Sequence, residues 1–316
     1  MLSKSILFCY YFFKFKSTNL AYQFASYQIP YRDTVNIKRS GNDLVFTKTG
    51  NKIPVERVHP YKEELRSLIA VLNDKHVQVV ASQTSKGLVL KIDDILVNTY
   101  SVSNIFTLYE IYLEQLYNFS TPEGDNVILD IGMNVGYASL YFAALTSTSH
   151  VYSYEPFPQT FEEATNNIGL NAALHDKITP HNFGISNTSK FVEVPMMESG
   201  SAIASTTELF VEHHRVISDK NVRVEVKDIR QVLEEIIAKH PSQNLFLKVD
   251  CEGEEYGVME CLNGTNLIKK IGGFFIEWHI KGPDAIVEVL NRNGFVSLHI
   301  PRVGIDSGMI YAFKKA

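Results

Sequence analysis

The sequence predicts an α/β fold: a doubly wound, mostly parallel seven-stranded sheet with a smaller N-terminal α+β region before it. Three observations carry this. From residue 121 onward, short apolar runs alternate with helix-patterned segments, the pattern of strand–helix–strand units that close into a parallel sheet by right-handed crossovers. The runs are almost continuously apolar, as in Val127-Ile128-Leu129-Asp130-Ile131 and Leu245-Phe246-Leu247-Lys248-Val249, as strands covered on both faces require. The last two runs, 295–300 and 309–314, lie too close together for a helical crossover, so they are expected to pair antiparallel.

Of 316 residues, 45% are hydrophobic and 21% charged, the composition of a globular protein with a sizeable core. Two regions are expected, 1–120 and 121–316, divided at Ser120-Thr121-Pro122-Glu123-Gly124. The formal net charge of −5 argues against a nucleic-acid partner, because such binding rests on basic surface that neutralises phosphates. Three cysteines, Cys9, Cys251 and Cys261, make no disulfide framework and favour a reducing, cytoplasmic setting. The apolar stretch Ile6-Leu7-Phe8-Cys9-Tyr10-Tyr11-Phe12-Phe13 is far shorter than the ~20 residues of a membrane span. No cleavage site of a secretory signal follows it. It reads as a buried helix or an arm packed on a partner subunit in a homodimer, with a membrane-associating arm as the minority reading.

In order, the N-terminal region reads as a strand at 43–47, a helix at 61–73 with Leu65, Leu68, Ile69 and Leu72 on one face, a hairpin at 88–97 and a helix at 103–117. The second region reads as strand 127–131, helix 136–145, strand 150–154, helix 158–173 and strand 178–183. An insertion at 186–221 follows, containing Ser199-Gly200-Ser201, and is expected to act as an acceptor-gating loop. Then come strand 222–226, helix 228–239, strand 245–249, helix 256–262, strand 273–277, helix 283–293 and the closing hairpin.

Chemistry concentrates where these strands end. Asp130-Ile131-Gly132-Met133-Asn134-Val135-Gly136 lies at a strand-to-helix turn, where glycine permits close backbone approach to a ligand. Glu155-Pro156 ends the next strand, where an acid can accept hydrogen bonds from both ribose hydroxyls of an adenosine cofactor. A dinucleotide fingerprint fails twice, because Asn134 and Tyr137 stand where its second and third glycines belong. S-adenosyl-L-methionine has no phosphate and requires only one close backbone approach and a ribose acid, which this pattern supplies. Asp250 and Glu252, in Lys248-Val249-Asp250-Cys251-Glu252-Gly253, end a strand beside the first. Glu277 and His279, in Ile276-Glu277-Trp278-His279, end its neighbour. These groups can balance a sulfonium charge, orient or deprotonate a hydroxyl, or hold a divalent cation through oxygen ligands. Glu254 and Glu255 read instead as acids favouring the first turn of a helix. Cys251, flanked by acids, is a poor nucleophile.

Taken together, Asp130 to Tyr137, Tyr154-Glu155-Pro156, Asn166-Asn167, Lys248 to Gly253 and Ile276-Glu277 resemble the FkbM family of methyltransferases. The resemblance implies a class I methyltransferase fold, S-adenosyl-L-methionine as donor, and O-methylation of a sugar, glycan or other natural-product hydroxyl. By that similarity Asp130, Gly132 and Gly136 line the methionine end, Glu155 the ribose, and Asn182 and Gly184 the adenine, with Asn134, Tyr137, Pro156 and Asp250 also expected among the cofactor-binding residues. Asp250 is expected as base or orienting group in direct in-line displacement, with Glu252, Glu277 and His279 as helpers. Two other readings fit less well: a nicotinamide-dependent oxidoreductase, which the missing glycines disfavour, and an inactive cofactor-binding scaffold, which the rim acids disfavour. The acceptor is not legible.

Overall fold

In a computed structural model the described residues are 3–80, 87–99, 101–118, 124–195, 221–302 and 306–315. The chain divides into two compact units, Met1–Asn118 and Phe119–Ala316.

The first unit opens with a helical hairpin, α1 Lys4–Phe15 and α2 Thr18–Ser26, whose first turns are capped by the Ser3 and Ser17 hydroxyls. Tyr11, Phe15 and Phe24 pack ring against ring, and the Tyr11 hydroxyl donates to the Ile29 carbonyl at 2.6 Å. Strands β1 Ile37–Ser40, β2 Asp43–Phe46 and β3 Lys52–Pro54 form one antiparallel meander. Helix α3 Leu65–Asn73 buries the expected stripe of Leu65, Leu68, Ile69 and Leu72. The turn before it, His59–Glu64, is 3₁₀, so the helix starts later than its pattern suggests. A second meander contains β4 Val77–Val80, β5 Leu88–Ile92 and β6 Ile95–Thr99. Helix α4 Val102–Leu108 passes into a π-helical turn at Tyr109–Leu113 and stops there, short of the predicted residue 117.

The second unit contains β7 Asn126–Ile131, α5 Tyr137–Ala144, β8 Thr148–Tyr154, α6 Pro158–Gly169, α7 Ala172–His175 and β9 Ile178–His181. It continues through β10 Gly184–Ser186, β11 Lys190–Pro195, β12 Asn221–Asp228 and α8 Ile229–Lys239. It ends with β13 Asn244–Val249, α9 Glu255–Leu262, β14 Ile271–His279, α10 Asp284–Arg292, β15 Phe295–Pro301 and β16 Ser307–Lys314. Seven strands form one sheet in the order β15-β16-β14-β13-β7-β8-β9. Only β16 runs against the others, pairing antiparallel with both β14 and β15. This is the doubly wound, mostly parallel sheet that the sequence predicts, and strand order reverses between β7 and β13, where such sheets bind ligands.

All six residues of β7 are buried, which explains its unbroken apolar run. The expectation of an irregular insertion after residue 186 is corrected in part. Lys190–Pro195 is a strand that pairs antiparallel with β12, while β10 pairs parallel with it, making a separate three-stranded sheet. The remainder, 196–220, including Ser199-Gly200-Ser201, lies outside the described residues.

Gly132 holds the switch point together. Its φ is +80°, and a Cβ there would sit 1.7 Å from the Asp250 carbonyl oxygen. The loop leaving β7 can therefore lie against the loop leaving β13 only without a side chain. Gly132→Ala is expected to cost about 3 kcal/mol or more, read as a fall in the urea unfolding midpoint. Gly264→Ala, at φ +73° with nothing within 4 Å, isolates the backbone cost alone and is expected to lose only about 1 kcal/mol. Equal losses at the two positions would contradict the close-packing account.

Candidate active site

Parallel pairing of β7 with β13 sets Lys248 directly beside Asp130. The Lys248 ammonium, 4% exposed, lies 3.2 Å from an oxygen of fully buried Asp130 and 3.3 Å from an oxygen of Asp250. It also donates to the Gly132 carbonyl at 2.5 Å. The other oxygen of Asp130 accepts from the Ser139 hydroxyl at 2.5 Å, and Ser139 meets Ser153 of β8 at 2.9 Å. One buried cation thus joins the end of β7, the glycine turn and the end of β13. Asp130 is part of this internal framework.

The turn itself is fixed from both sides. The Asp250 N–H donates to the Ile131 carbonyl at 3.0 Å, and the Gly132 and Met133 N–H groups converge on the Tyr154 carbonyl at 3.1 and 2.9 Å. Gly132, Asn134 and Gly136 all have positive φ, and Gly136 is the N-cap of α5. The buried Asn167 amide donates to the Val135 carbonyl at 2.9 Å, giving part of the Asn166-Asn167 pair a supporting role. Tyr137 opens α5 with its side chain buried.

Glu155 follows β8. One carboxyl oxygen accepts from the Asn134 N–H at 3.0 Å, the other from the Phe157 N–H at 3.1 Å. Burial pushes this carboxyl up to about 8, outweighing those two bonds and the Lys248 charge, which pull it down. Asn182 donates to the Glu155 carbonyl at 2.9 Å, and Gly184 packs on Pro156, where a Cβ would stand 3.3 Å from the ring. Gly132, Asn134, Glu155, Pro156, Asn182 and Gly184 therefore form one continuous lip along the ends of β7, β8 and β9.

Four acids and a histidine gather on the other side. His279 Nδ1 lies 3.2 Å from Glu255, and Nε2 lies 3.4 Å from Glu252 and from Glu277. Burial works against a charged ring, but hydrogen bonds to Glu255 and Glu277 and the charge of Glu252 push His279 up to about 12. Glu277 is also gripped by the Arg302 guanidinium. Burial alone would raise Asp250, but the charges of Lys248, His279 and Arg302 hold it below the usual carboxylate range. Glu252 goes the other way: burial pushes it well up, His279 lowers it, and Asp250, Glu277 and Glu255 raise it again. Asp250, Glu252 and His279 have ligand atoms within 4.8 Å of one another, a spacing compatible with a cation. Burial raises the Cys251 thiol well above its usual value, as do Glu255, Glu254 and Asp250, so the thiolate needed of a nucleophile is disfavoured.

Three participants escaped sequence reading. Glu255, expected as a solvated helix-turn acid, is fully buried and accepts from the Gly253 N–H at 2.7 Å and the His279 N–H at 2.8 Å. Glu254 is the N-cap of α9, as its acidic character suggests, and its side chain accepts from the Ser186 hydroxyl at 2.7 Å. Lys248 sat inside the quoted motif without a role, although a lysine within a doubly buried strand was itself a signal, since such a charge needs a partner. Arg302 gave no signal; the β15–β16 pairing brings it to Glu277 from beyond residue 301.

The chain is 24% identical over 192 residues to the hexuronic acid methyltransferase AglP of Haloferax volcanii, covering 60% of this chain and 70% of that protein. It is 26% identical over 184 residues to methyltransferase sdnD of Sordaria araneosa, covering 51% of this chain and 71% of that one. A solved structure, methyltransferase FkbM from Methylobacillus flagellatus KT, aligns with a TM-score of 0.43 and 16% identity. That alignment covers 66% of this chain and about half, 51%, of the other. The profile of the methyltransferase FkbM domain matches residues 130–297, and the chain belongs to the FkbM family of methyltransferases.

Proposed function

We propose that this protein transfers a methyl group from S-adenosyl-L-methionine to a hydroxyl oxygen of a sugar, glycan or other natural product. The observation that carries the reading is the pairing of two lips across the switch point. One consists of Glu155 with the left-handed turn Gly132 to Gly136, the other of Asp250 with Glu252, Glu277 and His279.

The residues present fit the donor. A carboxylate has about four lone-pair sites, and Glu155 commits one per oxygen to main-chain N–H groups, so two hydroxyls of a ribose can still be accepted. Gly132 and Asn134 stay partly exposed on the turn while Met133 and Val135 are buried beneath it, and Asn182, bonded to the Glu155 carbonyl, and Gly184, packed on Pro156, flank Glu155. Bound there, the donor supplies an electrophilic methyl group on a positively charged sulfur.

The acceptor side follows from the opposed shifts of two neighbours. Asp250, held ionised by Lys248, accepts a hydrogen bond from the acceptor hydroxyl and orients it. As a weak base it does little more. Glu252, pushed up, is the stronger proton acceptor, and His279 with Glu277 keeps it in place. Orientation of this kind supplies up to about 7–11 kcal/mol in well-aligned reactions. The hexuronic acid methyltransferase among the relatives favours a sugar-type acceptor. The close spacing of Asp250, Glu252 and His279 supports a second version, in which a divalent cation activates the hydroxyl.

Labelled donor offered to a native extract identifies the acceptor. With it, Asp250→Asn is expected to lower turnover by about 10²-fold, the cost of a misoriented acceptor, while donor affinity stays unchanged. Near-normal turnover would remove Asp250 from the chemistry. The assay is run before and after chelation, since loss and recovery with Mg²⁺ or Mn²⁺ mark the cation version.

Donor binding is also expected to depend on pH. Ribose hydroxyls donate to the ionised form of Glu155, so binding expels the proton that burial retains up to about pH 8. Affinity should therefore rise with pH by up to about tenfold per unit below 8 and level off above it. Calorimetry near pH 7 in two buffers should record proton release, lost in Glu155→Gln. A flat profile, or proton uptake, would contradict the role.

A further inference from the structure

Helix α1 is apolar on both faces, and among the described residues only one of them is covered. Leu7, Tyr11 and Phe15, spaced four apart, are buried. Ile6, Cys9 and Phe13, spaced as i, i+3 and i+7, form the opposite stripe with Phe12 at its edge. Phe13 is 77% exposed, Ile6 54% and Phe12 42%, and Tyr22 on α2 is 67% exposed. A solvent-facing stripe is ordinarily polar.

The charges around it are one-sided. The first 32 residues contain Lys4, Lys14, Lys16 and Arg32 and no Asp or Glu, so they carry +4 in a chain of net −5, leaving −9 for the rest. Lys4 and Lys16 bracket the aromatic stripe and are exposed. Aromatic side chains on one face with lysines at the ends describe a helix that lies in a membrane interface, its ammonium groups reaching the headgroups. Among the described residues no helix is long and apolar enough to cross a membrane, so the pattern is one of lying on a bilayer.

We infer that the outer face of α1 docks on an anionic lipid surface. The charge distribution selects this occupant: an anionic bilayer attracts a segment that carries +4, and Lys4 and Lys16 at the ends of the stripe bring that charge to the surface the aromatic rings enter. Two copies of the same stripe brought together would instead set one group of lysines against another.

The test is sedimentation of the full chain with vesicles of phosphatidylcholine alone and with about one third phosphatidylglycerol. The chain is expected to sediment with the anionic vesicles, to stay in solution with the neutral ones, and to be released by salt. Phe12→Ser with Phe13→Ser leaves Leu7, Tyr11 and Phe15 in place and should weaken binding about tenfold or more. Lys4→Glu with Lys16→Glu, which leaves the whole apolar stripe intact, should weaken it by a similar factor, since each lysine near such a surface is worth roughly fivefold. Failure of the unaltered chain to sediment with anionic vesicles overturns the inference, as does undiminished binding by either double variant. So does a dimer, seen by ultracentrifugation without lipid, that the phenylalanine variant alone dissolves while vesicles bind neither form.

Discussion

The site depends on one buried ion pair more than on any other contact. Lys248 and Asp130 meet side by side on adjacent parallel strands, away from water, at the place where strand order reverses. Each is costly to bury alone, and each makes the other tolerable. Because the same ammonium reaches Asp250 and the Gly132 carbonyl, the two loops that face a ligand are positioned by one group. The strand register decides this: a shift of one residue in β13 would put Val249 or Leu247 beside Asp130 and leave its carboxylate without a counter-ion.

From this anchor the two sides of the mouth acquire opposite characters. Along β8 and β9 the acid Glu155 is desolvated and holds only main-chain donors, so it remains available to hydroxyls. Along β13 and β14 the acids are crowded around cations, and crowding splits their behaviour. Asp250, next to Lys248, stays ionised, while Glu252, farther from that charge, is pushed up. Two carboxyl groups two residues apart thus differ in what they can do for a hydroxyl, through environment alone. Glu255 beneath them fixes the His279 ring by accepting at Nδ1 and from the His279 N–H.

Much of this was legible beforehand, for physical reasons that can be named. Strands buried on both faces leave unbroken apolar runs, so the positions of β7, β13 and β14 could be read locally, and so could Asp130, Gly132, Glu155, Asp250, Glu277 and His279 at their ends. Features that depend on pairing were not. Lys248 becomes meaningful only once β13 is known to lie beside β7, and Arg302 only once β15 and β16 fold back on β14. Glu255 resembles any acid in a first helical turn, and nothing local distinguishes one that is buried. β11 was hidden because a short alternating strand beside an insertion has no helix to frame it. The α1 stripe was visible as composition, but which of its faces is covered depends on α2.

The most direct measurement of the central claim is a double-mutant cycle on unfolding free energy. Lys248→Met leaves Asp130 buried beside a methyl group and is expected to cost about 3–5 kcal/mol. Adding Asp130→Asn to the same chain removes the stranded charge and is expected to recover most of that loss. If the two substitutions instead add, each costing the same with or without the other, the pair does not hold the switch point together, and the account of the site built on it is wrong.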